Sequence, residues 1–156
     1  MTAENQPLDL AQLVREAYER SKDYLSPTPL EFSRYLSDQI DGEVWLKLDL
    51  VQRTASFKFR GAINKILSLT EAELDAGVVT ASTGNYALAV AEATRIRNRR
   101  ATIYVGSDMD ESRLEILRAH GCDLVVIDGD IRVDEILFYR GGKFGIQDYQ
   151  LHSVQL

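Results

Sequence analysis

The chain has 156 residues, of which 45% are apolar and 27% charged, and its formal net charge at pH 7 is −6. This length is sufficient for one domain with a hydrophobic core or for two small lobes, and the composition is ordinary for a soluble globular protein. The acidic balance argues against general binding to nucleic acid, because an excess of lysine and arginine is needed to hold a phosphate backbone.

Targeting and metal-binding signals are not recognisable in the sequence. The first residues do not form a basic segment followed by an apolar one, and no apolar run approaches the roughly 20 residues that cross a membrane. The single cysteine, Cys122, excludes an intrachain disulfide and is interpreted as a buried structural thiol. One cysteine and two histidines form no metal cluster, and the basic run at 95–100 is interpreted as the solvated end of a helix. We therefore expect a cytoplasmic protein without metal, nucleic-acid or membrane partners.

The first third of the chain predicts two helices and one strand. Apolar residues recur at helical spacing over residues 8–24, and the two prolines of "SPTPL" end that helix. Apolar and polar residues alternate in "EVWLKLDL", residues 43–50, which predicts a strand. The following segment, "QRTASFKFRGAINKILSL", predicts a helix that begins near Ser56 as its N-cap.

Strands and helices then alternate. Strands are predicted at residues 77–82, 101–106 and 122–128, and helices at residues 85–96, 110–121 and 130–142. This alternation predicts an α/β fold built from parallel-sheet βαβ units with right-handed crossovers. Residues 143–156 show no clear period, so we expect an irregular tail and a sheet that is incomplete at the C-terminus, as in a fragment or a truncated protein.

Two loops are candidates for a functional site, because ligands of open α/β sheets bind where strands lead into helices. In the first loop Lys58 stands in the first turn of a helix, between Phe57 and Phe59. The helix dipole and the neighbouring rings would favour the uncharged amine, the form that attacks an aldehyde to give a Schiff base. On this pattern alone, an ordinary solvated lysine is the favoured interpretation.

The second loop, "TASTGNYA", follows the predicted strand 77–82. Ser82, Thr83, Gly84 and Asn85 offer hydroxyl groups and free backbone amides at the start of a helix, which together suit an anion such as a carboxylate. An N-cap that does no more than start the helix explains the same residues equally well.

The two loops together are much more specific than either alone. The segments "SPTPLEFS", "VWLKLDLVQRTASFKFRGAINKI", "GVVTASTGNYALAVAEA" and "ATIYV" resemble, in order and spacing over about residues 24–127, the fold-type II pyridoxal-phosphate enzymes of the threonine dehydratase and serine racemase group. The resemblance implies a tryptophan synthase β-like fold and pyridoxal 5'-phosphate as cofactor. It implies that Lys58 holds the cofactor as an internal aldimine, that Asn85 bonds the ring hydroxyl of the cofactor, and that Phe57 lies beside it.

The resemblance also implies a substrate site. It places the carboxylate of an amino-acid substrate on the second loop, with Thr83 as an acid/base on the face opposite the lysine. The substrate-binding residues implied are Ser82, Thr83, Gly84, Asn85 and Tyr86. The chain departs from the family at Ala55, where glycine is usual, and at Tyr86 and Ala87, where histidine and glycine are usual. The family's glycine-rich phosphate loop lies later in its chains than these residues.

The activity implied is that of a threonine/serine dehydratase, an ammonia-lyase that converts a β-hydroxy amino acid to a 2-oxo acid and ammonia. Two alternatives stay open: a truncated, catalytically silent homologue that acts in binding, and an amino-acid racemase or β-replacement enzyme on the same scaffold. A homo-oligomer is also left open. In domain terms, about residues 1–60 would start the large domain, about 61–140 would form the small domain, and 141–156 would be the irregular tail.

Overall fold

A computed structural model describes residues 9–82 and 84–128. The predicted helix at 130–142 and the irregular tail lie outside these residues. The helices and strands, in chain order, are α1 (Leu10–Ser21), β1 (Leu30–Phe32), α2 (Arg34–Ile40), β2 (Trp45–Lys47), α3 (Lys58–Leu67), α4 (Glu71–Asp75), β3 (Val78–Ala81), α5 (Asn85–Ile96), β4 (Ala101–Gly106), α6 (Glu111–Ala119) and β5 (Asp123–Ile127). Short 3-10 turns follow α1 at Lys22–Tyr24 and β2 at Asp49–Val51.

Strands β1 and β2 form a small antiparallel sheet. Leu30 is paired with Lys47 and Phe32 with Trp45, and the last two rings meet edge to face with their centroids 5.2 Å apart. Helix α2 connects the two strands, and most apolar side chains of this region remain exposed. The strand predicted at 43–50 is shorter in the structure, because the chain turns into the 3-10 helix at Asp49.

Strands β3, β4 and β5 form a parallel sheet in that order. Val78 is paired with Ala101, and Tyr104 with Val125. Each pair of neighbouring strands is connected by one helix, α5 for the first crossover and α6 for the second. The predicted α/β fold with parallel βαβ units is confirmed.

The hydrophobic core lies between this parallel sheet and helices α3, α5 and α6. On α3 the buried residues are spaced three or four apart, so that they form one continuous face of the helix. On α5 the buried residues are mostly alanines, which allow α3 to pack closely against it. The largest fully buried apolar side chains are Phe59, Ile63, Ile66, Val90, Ile103 and Val105.

The start of α3 differs from the prediction by one residue. The helix begins at Lys58, and Phe57 occupies the cap position without a side-chain cap bond. Ser56 still contributes, because its hydroxyl oxygen accepts a hydrogen bond from the backbone N–H of Lys58 at 3.2 Å. Ser56 therefore supports the first turn from one position further upstream.

The basic run at 95–100 is engaged in ion pairs. Arg95 pairs with a carboxylate of its own helix, Arg97 and Arg99 both pair with Glu71 of α4, and Arg100 pairs with Asp123. The run therefore joins neighbouring elements.

None of the helices in residues 9–82 and 84–128 has the length and apolar character needed to cross a membrane.

Candidate functional site

Residues 52–57, which we term the lysine loop, lead directly into Lys58. Every second side chain of the loop is buried: Gln52, Thr54 and Ser56. The Gln52 side chain pairs with the backbone of Ser26, accepting from its N–H at 3.1 Å and donating to its carbonyl at 2.9 Å. The "SPTPL" segment and the lysine loop are thus bonded to one another, since side-chain amides can satisfy both polar groups of a peptide.

Ala55 adopts a left-handed backbone conformation within this loop, with φ at +52°. Its N–H donates to the carbonyl of Gln52 at 2.7 Å, which closes a tight turn. Glycine adopts such a conformation without penalty, whereas a Cβ atom makes it costly. The turn therefore explains in physical terms why glycine would suit this position.

Lys58 is exposed at the start of α3, and its two phenylalanine neighbours lie in different environments. Phe59 is fully buried in the core, whereas Phe57 is 62% exposed. The Lys58 Nζ lies 5.0 Å from the centroid of the Phe57 ring. Among residues 9–82 and 84–128, no carboxylate pairs with the Lys58 ammonium and no group accepts a hydrogen bond from it. The amine is accessible and lies over an aromatic face.

The second loop lies between β3 and α5. The Ser82 hydroxyl accepts a hydrogen bond from the N–H of Gly84 at 3.3 Å, and Gly84 and Asn85 are both exposed. A Cβ atom at Gly84 would meet no atom within 4 Å, so space is open beside this backbone. Thr83 lies outside the described residues. The N–H of Ala87 is bonded to the carbonyl of Gly84 at 3.1 Å. The first two N–H groups of an α-helix have no acceptor within the helix, which suits an anion.

Tyr86 is half-buried and packs against the hydrophobic core. Burial raises the pKa of its phenol to about 12, because the charged phenolate is disfavoured away from water. The side chain is therefore a protonated phenol at neutral pH and is not a general base. Its assignment to the substrate site stays a prediction.

A small groove lies on the α6 side of the second loop, with a volume of about 160 Å³. Lys58 is not among the residues that line it. The lining residues are Gly84, Asn85, Leu88, Met109, Arg113, Ile116 and Leu117.

The two loops are connected through a buried carboxylate on α5. The Glu92 side chain, 6% exposed, accepts a hydrogen bond from Nη1 of Arg53 at 3.0 Å. It also accepts two from Arg95, at 2.7 and 2.9 Å. The bonds from Arg95, and then those from Arg53, lower the pKa of Glu92, although burial opposes the shift. The structure records no direct contact between Lys58 and the described residues of the second loop.

A second ion pair fixes the first turn of α3. Arg60 donates from Nε and Nη2 to the two carboxylate oxygens of Asp49, at 2.7 and 2.8 Å. The Thr28 hydroxyl donates to the same carboxylate at 2.7 Å, and the Lys47 ammonium donates to the Thr28 carbonyl at 2.5 Å. The bonds from Arg60 hold the pKa of Asp49 at about 2. This network fastens the helix that begins at Lys58 to the end of β2.

Both ion pairs were missed in the sequence. Arg53 and Glu92 are 39 residues apart, and Arg60 and Asp49 are 11 apart, so no helical spacing links them. One signal was present: Glu92 is the only acid in helix α5 and lies within its alanine-rich run, residues 87–93, where a buried acid needs a partner.

The donor set fits an anionic aromatic aldehyde. Lys58 supplies an accessible primary amine beside an aromatic ring, Asn85 supplies an amide, and the start of α5 supplies a helix N-terminus without a side-chain cap, next to open space at Gly84. A primary amine condenses with an aldehyde, and helix N-termini favour anions. Pyridoxal 5'-phosphate combines these chemical features.

Comparisons with known proteins give the family. A family model described as "Pyridoxal-phosphate dependent enzyme" matches residues 22–140. The L-threo-3-hydroxyaspartate ammonia-lyase of a Pseudomonas species is 37% identical over 115 residues, which cover 74% of this chain and 36% of the relative. The L-threonine ammonia-lyase of Thermotoga maritima is 40% identical over 118 residues, covering 76% of this chain and 29% of the relative.

Solved structures agree with these sequences. Maize serine racemase superimposes with a TM-score of 0.70 at 32% identity, over 77% of this chain and 36% of the racemase. Threonine deaminase isoform 2 from Solanum lycopersicum has a TM-score of 0.66 at 31% identity, over 83% of this chain and 37% of the deaminase. The chain spans about a third of the length of these proteins. The matched region contains the lysine loop, both ion pairs and the second loop, and the chain belongs to the family of pyridoxal-phosphate dependent enzymes.

Proposed function

We propose that this chain carries the lysine-bearing part of an amino-acid-converting active site that uses pyridoxal 5'-phosphate, and that the reaction is a threonine/serine dehydration. The observation that carries the proposal is that the Lys58 amine is accessible. Lys58 is exposed at the first position of α3, without a carboxylate partner in the part of the chain described, and the loop that precedes it is bonded to Ser26 and to Glu92. An amine held in this way is available for an aldehyde.

The proposed roles follow from the chemistry of each side chain. Lys58 would hold the cofactor and, as a free amine, would move the proton of the substrate α-carbon. Asn85 binds the ring hydroxyl of the cofactor, and Phe57 covers one side of the lysine. The bound cofactor supplies an electron sink for the negative charge that develops on the α-carbon.

The second loop binds the substrate in this proposal. Ser82, Thr83, Gly84 and Asn85 hold its carboxylate, since hydroxyls and N–H groups at the start of α5 suit an anion. Tyr86 borders that site with a protonated phenol. The substrate would lose its β-hydroxyl as water, and hydrolysis of the resulting enamine would give a 2-oxo acid and ammonia. The match covers only 36% and 29% of the two ammonia-lyases, so activity of the whole protein is part of the proposal.

Two alternative functions are proposed after this one. Racemisation on the same scaffold is favoured by the similarity to maize serine racemase, and it would use Thr83 and Lys58 as acid/bases on opposite faces. A catalytically silent homologue that binds a partner would keep the fold without the reaction. In each case we propose a cytoplasmic protein.

The test begins with attachment of the cofactor. The chain is incubated with pyridoxal 5'-phosphate, reduced with borohydride, digested and analysed by mass spectrometry. We expect the stable adduct on Lys58, its loss in Lys58→Ala, and its retention in Lys65→Arg, a lysine substitution in the same helix. An unlabelled Lys58, or a label distributed equally over several lysines, would contradict the proposal.

The reaction is then assigned with substrates. Incubation with L-serine or L-threonine, followed by an assay for 2-oxo acid, detects dehydration, and chiral chromatography of serine detects racemisation. Labelling of Lys58 without either product would support the silent homologue.

A further inference from the structure

Glu92 is a buried acid in a helix face that is otherwise apolar. The other buried residues of α5 are alanines, one valine and one threonine. A buried carboxylate is costly unless it is paired and hydrogen-bonded, and Glu92 is paired twice, with Arg95 of its own helix and with Arg53 of the lysine loop. Nothing in the proposed chemistry uses this group.

The two partners of Glu92 differ in what they connect. Arg95 lies one turn along the same helix and binds the carboxylate through two nitrogens, so this contact stays local. Arg53 comes from a loop 39 residues earlier and stands five residues before Lys58. Glu92 stands seven residues after Asn85, which is roughly 10 Å along the helix axis. The Arg53 contact therefore joins the element that leads to the lysine with the helix that begins at the asparagine.

Arg53 makes a second contact at the same junction. Its guanidinium carbon lies 5.9 Å from the centroid of the Phe59 ring, and Phe59 is the fully buried residue next to Lys58. A guanidinium that lies over an aromatic ring and donates to a carboxylate is restrained by both contacts. Arg53 thus contacts α5 through Glu92 and α3 through Phe59.

We propose that Arg53 and Glu92 are positioning residues, whose ion pair seats the lysine loop on α5 and so sets where Lys58 stands relative to Asn85 before a cofactor binds. The inference rests on the proposed function for the identity of that cofactor. Neither residue is assigned contact with cofactor or substrate. The pair acts by holding the loop in position. A small displacement of Lys58 would reduce the reaction rate strongly, since rates depend steeply on where a reacting group stands.

If the Arg53–Glu92 pair contributed only to stability, loss of Arg53 and loss of Arg95 would have a different pattern of effects. The Arg53 side chain is 42% exposed and that of Arg95 is 57% exposed, so each pairing contributes modestly to folding. If Glu92 needed only neutralisation, loss of either arginine would have similar effects. If the pair positions the loop, loss of Arg53 affects Lys58 and loss of Arg95 does not.

The experiment compares Arg53→Gln with Arg95→Gln, two substitutions that each remove one guanidinium from the same carboxylate. Arg53→Lys is added as the conservative rescue. The probe is pyridoxal 5'-phosphate, and the first readout is the rate of borohydride-stable attachment to Lys58. We expect Arg53→Gln to lower this rate about tenfold, Arg53→Lys to recover part of the loss, and Arg95→Gln to stay within about twofold of the unsubstituted chain.

The second readout does not depend on the cofactor. Backbone amide hydrogen exchange over residues 52–58 is measured in the same variants, with thermal unfolding as a check on global stability. We expect faster exchange in Arg53→Gln only. Equal effects of Arg53→Gln and Arg95→Gln, or effects that follow the change in unfolding temperature, would overturn the inference.

The two proposals fail in distinguishable ways. If the unsubstituted chain is not labelled at Lys58, the proposed function fails, and hydrogen exchange alone then decides the positioning role. If labelling is normal but Arg53→Gln changes neither the labelling rate nor the exchange, only the positioning role is overturned. Should Arg53→Gln lose its cooperative unfolding transition, Arg53→Lys provides the same comparison with the charge retained.

Discussion

Arg60 and Asp49 are joined by two charge-assisted hydrogen bonds, one from Nε and one from Nη2, that fasten the first turn of α3 to the turn after β2. The Asp49 side chain is 12% exposed and also accepts from the Thr28 hydroxyl. Bidentate arginine–carboxylate pairs are among the stronger polar contacts in proteins, and the geometry here leaves the carboxylate little freedom.

This pair predicts a specific loss of stability in acid. The pKa of Asp49 is lowered from 3.8 to about 2 in the folded chain. Its contribution is therefore complete above pH 3.8, declines as the pH falls towards 2, and amounts to about 2 kcal/mol at most. Asp49→Asn should lose this part of the pH dependence. Urea unfolding at several pH values between 2 and 6 measures it, with Glu111→Gln, from an exposed ion pair, as control. Parallel pH profiles for Asp49→Asn and the unsubstituted chain would contradict the assignment.

The left-handed turn at Ala55 predicts a stabilising substitution. Because the Cβ atom is unfavourable at a φ of +52°, Ala55→Gly should raise the free energy of unfolding by about 1 kcal/mol. The matched control is Gly77→Ala, where φ is +100° and a Cβ would meet no other atom within 4 Å. That change should lower stability by about 1 kcal/mol through backbone strain alone. Chemical denaturation measures both variants, and a loss of stability in Ala55→Gly would show that the turn is not strained.

The buried hydroxyl of Thr80 in β3 predicts a second stabilising substitution. The Thr80 side chain is 1% exposed, and its oxygen has no hydrogen-bond partner among the residues described. Valine has the same shape without the polar atom, so Thr80→Val should stabilise the chain by about 1 kcal/mol. Thr94 is equally buried, but its hydroxyl donates to the carbonyls of Val90 and Ala91. Thr94→Val should therefore be destabilising, and thermal unfolding of the two variants should shift in opposite directions.

Cys122 is expected to react slowly while the chain is folded. The residue is 6% exposed, its thiol donates to the carbonyl of Leu117 at 2.8 Å, and burial raises the pKa of the thiol. Since the thiolate is the reactive form, alkylation by iodoacetamide at pH 8 should be at least about tenfold slower than that of free cysteine. Addition of denaturant should remove the difference. Rapid alkylation of the native chain would show that the thiol is accessible.

The parallel sheet and its helices were predictable because their signals are local. Helix α5 and strand β4 occupy the predicted residues, and α6, predicted at residues 110–121, extends over Glu111–Ala119. In β4 and α6 the buried residues follow the apolar period, whereas the alanine-rich α5 is buried on most of its sides. The parallel arrangement followed from the alternation of strands and helices, since crossover connections require it.

The first part of the chain was harder to predict. Strand β1 has three residues and α2 has seven, which are too few to show an apolar period. The pairing of Phe32 with Trp45 requires the chain to turn back through α2, and no local pattern indicates that turn. The site was predictable only as separate loops. Their connection through Arg53 and Glu92 depends on how α3 packs on α5, which a single sequence does not contain.

The pairing of Phe32 with Trp45 has a practical consequence for spectroscopy. Trp45 is the only tryptophan in the chain, and it lies in the antiparallel pair, 52% exposed, rather than in the core beside the parallel sheet. Its fluorescence therefore reports on the β1–β2 pair, whereas far-ultraviolet circular dichroism is dominated by the helices. Coincident melting curves from the two signals would show that the small sheet and the βαβ units unfold as one cooperative unit.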